Sequence, residues 1–456
     1  MAFLHSIPPR TAMIEVLRFP TFRNLFAAQV IALVGTGLAT VALSLLAYDL
    51  AGAQAGQVLG TALAIKMVVY VLLAPMSGAV VPANLRKPVL IGLDLVRAAA
   101  ALCLPFVNQI WQVYLLIALL QSASACFTPL FQSTIPEILK EERDYTRALS
   151  LSRLAYDLES LLSPALAAAL LTLISFHGLF AGTSVGFVCS ALLVVVTAFP
   201  FVAASPRKEG PYARAIRGMR IYLKTPRLKG LLALNLCAAA GGAMVFVNTV
   251  VVVRNVLGGA EAQVAWALAA FGGGSMLMAL VLPKVLDRVP DRRVMLSAAS
   301  MMLAVLTALG VTWWLTPSAI GWPLVLSGWA LLGMSYAGLV TPGGRLLRRS
   351  AESTDLPFLF AAQFSLSHVC WLIAYPLAGT VGARLGMPVA VLALAVVACA
   401  GLLFAWRTWP ANDPDAITHR HDDLPADHPH MQEHAHTEQG HSHRFVIDDN
   451  HTRWPG

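Results

Sequence analysis

Charge is scarce in this chain. Aspartate, glutamate, lysine and arginine make up 12% of its 456 residues, against 57% hydrophobic residues. A soluble domain carries about 25% charged residues, so the composition excludes an ordinary water-soluble globule. Cysteine is also sparse. The six, Cys103, Cys126, Cys189, Cys237, Cys370 and Cys399, lie in apolar stretches and form no Cys-x-x-Cys pair. That excludes a disulfide framework or thiolate centre and points to packing. A Walker loop is missing, as is a glycine-rich dinucleotide turn after a strand, so ATP-driven pumping is disfavoured and no enzymatic signature is present. No resident cofactor and no catalytic residue are expected. The ten-residue alternation of a membrane β-barrel is absent too. Residues 1–23 hold Arg10, Arg18 and Arg23 among Pro8, Pro9 and Pro20, and the apolar run that follows has no small-residue cleavage site. It is expected to be a first transmembrane helix, not a cleavable signal.

What the sequence has instead is apolar runs of about 20 residues, enough to cross a hydrocarbon core of roughly 30 Å as helices. Twelve spans are expected. The first six lie near 24–49, 57–81, 88–107, 111–135, 147–173 and 178–202, the second six near 229–253, 262–285, 293–314, 319–344, 356–381 and 387–409. The fold class is therefore an all-α membrane protein of two six-helix halves, 24–202 and 229–409. These are flanked by an N-terminal segment 1–23, a central loop 203–228 and a tail 410–456. Alternate loops are basic. They carry Arg86 and Lys87; Lys140, Arg143 and Arg147; seven Lys or Arg residues in the central loop; Lys284 to Arg293; and Arg345 to Arg349. The opposite loops hold only Arg254 and Arg384. The positive-inside rule then puts both termini in the cytoplasm. The net charge of +8 reflects this bias and requires no nucleic acid. Within the central loop, Tyr212–Leu223 has helical spacing with basic residues at 214, 217 and 220, the pattern of an amphipathic helix on the membrane surface.

A charge within a span costs at least a few kcal/mol, so each is a candidate for function. Span five carries Arg153, Tyr156, Asp157 and Glu159. Arg153 and Asp157 share a helical face and can pair. The carboxylates suit metal ligation or proton carriage, with a structural ion pair as the alternative. His368 in span eleven precedes Pro376 much as Asp157 precedes Pro164 in span five. It is a candidate ligand or relay, with a satisfied core histidine as the alternative. Lys66 lies mid-span two, and Asp94 and Arg97 lie three apart near the cytoplasmic end of span three. Gln29, Asn235 and Asn248 are further candidates for lining a pathway, whereas the span methionines read as packing.

Two halves of six spans with both ends inside resemble the major facilitator superfamily, whose halves are related by an axis along the membrane normal. The loop after span two, Gly78-Ala-Val-Val-Pro82-Ala83-Asn-Leu-Arg86-Lys87, is similar to the family's gate motif, with proline and alanine replacing its acidic-basic pair. The second half keeps that pair as Asp287-Arg288. Ser163-Pro164-Ala-Leu-Ala167-Ala168 is similar to the superfamily's antiporter signature with its glycines replaced. The resemblance implies a gate at Gly78, Arg86, Lys87, Asp94, Arg97, Asp287 and Arg288, and a protein acting as a monomer.

Nine of the twelve histidines fall in the last 38 residues. They run His419-Arg-His421, His428-Pro-His430, His434-Ala-His436, His441-Ser-His443, then His451. Imidazoles paired as His-x-His suit Ni²⁺, Co²⁺, Zn²⁺ or Cu²⁺. With Pro425 and Pro429 among them, the segment is expected to lack regular structure without metal. A tail that is merely soluble or pH-responsive is the alternative. With this tail the chain resembles the bacterial nickel-resistance efflux branch of the superfamily. That resemblance implies export of a divalent metal ion, nickel, across the inner membrane in exchange for protons. The alternatives are an exporter of a drug or siderophore with a regulatory tail, and a membrane metal sensor or buffer that transports nothing.

Overall fold

The computed structural model describes residues 15–81, 85–139, 141, 144, 147–148, 151–152, 155, 159, 163, 165–199, 211–352, 355–414, 416–419, 441–448, 451 and 454. Helix dominates. The order is α1 (Pro20–Ala51), α2 (Ala55–Val80), α3 (Arg86–Cys103), α4 (Ile110–Ile138), α5 (Phe176–Val196), α6 (Pro211–Lys224), α7 (Pro226–Val251), α8 (Glu261–Leu286), α9 (Asp291–Leu315), α10 (Trp322–Val340), α11 (Gly343–Arg349), α12 (Leu356–Leu385) and α13 (Met387–Thr408). A two-stranded ribbon of β1 (Ala416–His419) and β2 (His441–Arg444) follows. Among the described residues, ten stretches are long and apolar enough to cross a membrane. The first, Pro20–Leu73, contains two helices joined by one short 3₁₀ turn that starts at Gly52, whose φ of 52° suits a residue without Cβ. The expected fifth span is described continuously only from residue 165, where it is helical to Leu170.

The helices pack in two groups. In the first, α1 packs on α5, α2 on α4, and α3 on both α4 and α5. In the second, α7 packs on α12 and α13, α8 on α10, and α9 on α10 and α13. The groups meet chiefly where α2 runs along α12. Burial separates the roles of the second group's helices. Of the apolar window in Pro226–Val256, 89% is buried, against 28% in Phe358–Leu385. Helix α7 is thus enclosed by protein, while α12 keeps accessible surface, which the aromatic side chains described below help to explain.

Small residues set the close approaches. A Cβ at Gly379 would collide with the backbone of Gly56, and one at Gly60 would sit 2.6 Å from Tyr375 O. Helices α2 and α12 therefore touch backbone to backbone through the Gly56-x-x-x-Gly60 pair, as small-residue motifs permit in membranes. Gly274 against Ala330 O, and Gly333 against Phe271 O, join α8 to α10 in the same way. The expected amphipathic helix of the central loop is present as α6, and it docks on the start of α12. Arg217 pairs with Asp355 at 2.7 Å, and the Tyr222 hydroxyl donates to Gln363. Burial, then the neighbouring Cys370, pushes the Tyr222 phenol well above its ordinary value, which keeps it a neutral donor.

The tail departs from expectation. Its described ends have structure: β1 and β2 pair antiparallel with His419 opposite His441. Phe445, Val446 and Ile447 are buried, Phe445 and Ile447 within a hydrophobic core that spans both helix groups. Trp454 packs against the same core and lies 5.1 Å beneath the Arg227 guanidinium. Apolar residues at the chain's end, overlooked among the histidines, drive this docking.

Candidate transport pathway

Three ionisable residues inside the bundle are electrostatically coupled. Lys66 of α2 interacts electrostatically with Glu159 of the expected fifth span and with His368 of α12. Its ammonium also lies 5.7 Å from the ring centroid of Tyr70, one helical turn on. Tyr70 in turn stacks on His368 at 5.5 Å. His368 Nδ1 donates to Phe364 O at 2.6 Å, which fixes the tautomer and leaves the Nε2 lone pair open to a proton or a metal. Glu159 lies beside α1. A Cβ on Gly37 would come within 2.8 Å of Glu159 Oε1 and would overlap Ser163 Oγ, so glycine at 37 makes the room. Lys66, Glu159 and His368 are only partly buried.

The same face of α12 continues as Phe364, His368, Trp371 and Tyr375, at the i, i+4, i+7, i+11 spacing of one helical stripe. Trp371 meets Tyr375 at 5.0 Å, Phe246 of α7 at 6.1 Å and Tyr336 of α10 at 6.1 Å. Phe271 of α8 meets Phe246 at 5.4 Å and Tyr336 at 5.5 Å. The sequence reading missed these rings. Aromatic residues in an apolar span are as common on the lipid face as inside, and only the stripe spacing around His368 signals them.

Buried amides lie elsewhere in the bundle. Gln29 is 3% exposed, and neither of its amide atoms has a partner among the described residues. Asn235 is buried and its Nδ2 likewise lacks a partner. Asn248 donates to Ala378 O at 3.2 Å. At the end of the bundle away from the basic loops, Arg254 lies 5.4 Å from the Tyr48 ring and donates to Gly259 O at 2.9 Å. It shares a cleft of about 150 Å³ with Asp49 and Glu261. Together with the Gly56–Gly379 contact, this brings the two groups together at that end.

Several of the residues named above as gate candidates lie at the basic-loop end. Asp94 pairs with Arg97 inside the first group, and Ser190 donates to Asp94 at 2.8 Å. The Arg97 guanidinium sits between Phe127 at 4.1 Å and Phe187 at 4.5 Å. Lys87 donates to Thr197 O at 2.9 Å, Arg86 is buried at the start of α3, and Gly78 lies in the last turn of α2. The second group is arranged differently. Asp287 and Arg288 are exposed just after α8, and the buried carboxylate is Asp291, which pairs with Arg345 and Arg349 at 3.5 Å each. The extra residue in this loop shifts the acid to the first turn of α9, where the helix dipole also favours it. Asp413 extends the network to Arg227 at 3.4 Å and Arg349 at 3.9 Å. Arg18 and Arg147 meet on Asp144 in the first group, at 3.3 and 3.4 Å.

Arg153 and Asp157 lie outside the described residues, as do His421, His428, His430, His434 and His436. His419, His441 and His443 are placed by backbone only, in the β1–β2 ribbon. Among the described residues no group of three or more His, Cys, Asp or Glu is arranged to hold a metal ion.

Sequence comparison agrees with the two-group helical body: residues 25–258 and 231–429 match the family model described as Major Facilitator Superfamily. The chain belongs to the major facilitator superfamily. It is thus a multi-pass membrane protein of a transporter family. It is 26% identical over 309 residues to the uncharacterized MFS-type transporter YfiS of Bacillus subtilis (strain 168), covering 63% of this chain and 70% of that one. It is 24% identical over 220 residues to macrolide efflux protein A of Streptococcus pyogenes, covering 47% of this chain and 53% of that one. Among solved structures, a bacterial homologue of the human lysosomal transporter Spinster, inward-facing and unoccupied, shares the fold. Its TM-score is 0.64 at 13% identity, covering 88% of this chain and 98% of that one. The D-xylose-proton symporter does so at a TM-score of 0.63 and 13% identity, covering 86% and 98%.

Proposed function

We propose that this protein is a proton-coupled exporter of a divalent metal ion, nickel, in the bacterial inner membrane. In this reading it has twelve spans and both termini are cytoplasmic. The observation that supports it is that Lys66 is electrostatically coupled to both Glu159 and His368, which come from the two helix groups, with Tyr70 stacked on His368 at 5.5 Å. A carboxylate and an imidazole offer the oxygen and nitrogen donors that a borderline metal accepts. Lys66 neutralises Glu159 when no cargo is present. A metal ion arriving from the basic-loop side takes that role, and the displaced ammonium has the Tyr70 ring beside it. Protons reaching Glu159 and His368 from the opposite side weaken both ligands and release the metal, since ligand and proton compete for the same lone pairs. Asp157 belongs to the same proposed site. Rocking of the two helix groups, hinged on the α2–α12 contact, exposes the site to each side in turn. The histidine tail supplies the specificity for nickel by raising its concentration at the cytoplasmic mouth.

The test is ⁶³Ni accumulation in a metal-sensitive bacterial host expressing wild type, Glu159→Gln, Asp157→Asn or a chain ended at Trp409, with expression matched. Wild type is expected to lower accumulation relative to vector and to lose that effect with an uncoupler. Glu159→Gln and Asp157→Asn are expected to match vector. Accumulation equal to vector in the wild type contradicts nickel export.

A further inference from the structure

Helix α6 has two faces, and the bundle uses only one of them. Gly218, Ile221 and Tyr222 are buried. This side docks on α12: a Cβ at Gly218 would collide with Phe358 O, and the Tyr222 hydroxyl donates to Gln363. Ile216, Arg220 and Leu223 follow one another at i, i+4 and i+7, a single stripe on the roughly opposite side of the helix. Ile216 and Leu223 are 49% and 43% exposed, and Arg220 is exposed between them. The fold also separates two arginines that the amphipathic pattern treats alike. Arg217 is engaged by Asp355, whereas Arg220 makes no ion pair among the described residues.

The place of the helix selects what meets this stripe. Only Thr225 separates α6 from α7, and the contacts of α6 fall on the first turns of α12. Helix α6 therefore lies where two spans enter the membrane, at the basic-loop end. An acidic protein surface would match Arg220 but not the two large apolar side chains beside it. A neutral leaflet would match the apolar pair but not the cation. A leaflet with anionic headgroups above an acyl boundary matches both. We propose that the Ile216–Arg220–Leu223 face docks on anionic phospholipid, with the apolar side chains in the acyl boundary and the guanidinium on the headgroup phosphate. Lipid bound there holds α6 and, through the Arg217–Asp355 and Tyr222–Gln363 contacts, the start of α12 as well. The inference is independent of what the protein carries.

The test titrates purified full-length protein in detergent micelles with phosphatidylglycerol, or with phosphatidylcholine of the same acyl chains, and follows the thermal midpoint. Phosphatidylglycerol is expected to raise the midpoint saturably and further than phosphatidylcholine does. Arg220→Gln is expected to keep the lipid-free midpoint and to need about fivefold more phosphatidylglycerol for half of the effect. Its response to phosphatidylcholine stays that of the wild type, and Arg220→Lys titrates like the wild type in both. Ile216→Ser combined with Leu223→Ser is expected to weaken the response to both lipids. A second measurement places the stripe directly. Leu223 is replaced by the fluorescent residue dansylalanine, in nanodiscs whose lipids carry a nitroxide near the headgroup end of the acyl chain. The lipid nitroxide is expected to quench it more than a water-soluble nitroxide does. The reverse order puts the stripe in water, facing a soluble partner, and overturns the proposal. So does an equal response of the wild type to the two lipids, or an Arg220→Gln variant that titrates like the wild type in phosphatidylglycerol.

Discussion

An ammonium, a carboxylate and an imidazole held inside apolar helices define the chemistry at the residue scale. Each is expensive there, and two of them compensate each other: Lys66 and Glu159 are opposite in charge, and the Tyr70 ring also lies beside Lys66. This mutual compensation predicts non-additivity. Lys66→Met and Glu159→Gln singly are expected to lower the thermal midpoint, and the double variant to recover part of the loss. The interaction energy should be about 0.5–3 kcal/mol in a double-mutant cycle; additive effects would show that the two do not compensate. Asp94 and Arg97 form a second buried pair, with side chains 0% and 5% exposed. Removing the guanidinium by Arg97→Ala leaves Asp94 unpaired and is expected to cost about 3–5 kcal/mol, measured as a fall in thermal midpoint against wild type. Lys66, Glu159 and His368 were legible in the sequence because a titratable residue inside an apolar run stands out. Asp291 and the aromatic rings were not. The former hides in a loop rich in charge, and the latter resemble any other apolar side chain until four helices are brought together.

At the scale of the elements, the α2–α12 contact is the joint between the two groups. It depends on glycine: Gly60 and Gly379 allow a backbone approach that no larger residue fits. Gly379→Val inserts side chain where the backbone of Gly56 lies. It is expected to destabilise the protein by about 1–3 kcal/mol and to reduce export at least tenfold in the ⁶³Ni assay at matched expression. Export at the wild-type rate would show that the joint does not govern the motion. Helix positions were readable from hydropathy, since apolar runs and basic loops leave little freedom in where a span begins and ends. The contacts between spans were not readable, because lipid-facing and protein-facing sides of a membrane helix are equally apolar. Helix α6 shows the same limit. Its amphipathic pattern indicated a surface helix, and its docking on α12 through Arg217 and Asp355 required the fold.

For the whole molecule, the tail is joined to the body at both of its ends. Asp413 ties its start to Arg227 and Arg349, and Phe445, Ile447 and Trp454 tie its end to the main hydrophobic core. Ending the chain at Trp409 removes both ties, and is expected to lower the thermal midpoint of the purified protein. Replacing only the histidines of 428–436 by alanine is expected to leave the midpoint unchanged and to weaken Ni²⁺ binding by calorimetry. A midpoint unaffected by the truncation would show that the docking contributes no stability. The histidine pattern dominated the reading of this segment. The few apolar residues behind it, spaced without periodicity, gave no pattern from which docking was visible.

The central claim is that metal and protons exchange at one intramembrane carboxylate. Its most direct test is proton movement on nickel addition to proteoliposomes holding a pH-sensitive dye. Wild type is expected to export protons from the lumen as Ni²⁺ enters, with Glu159→Gln and protein-free vesicles silent. A wild-type protein that takes up ⁶³Ni with no change in lumenal pH, or a Glu159→Gln variant that exchanges protons at the wild-type rate, contradicts the account.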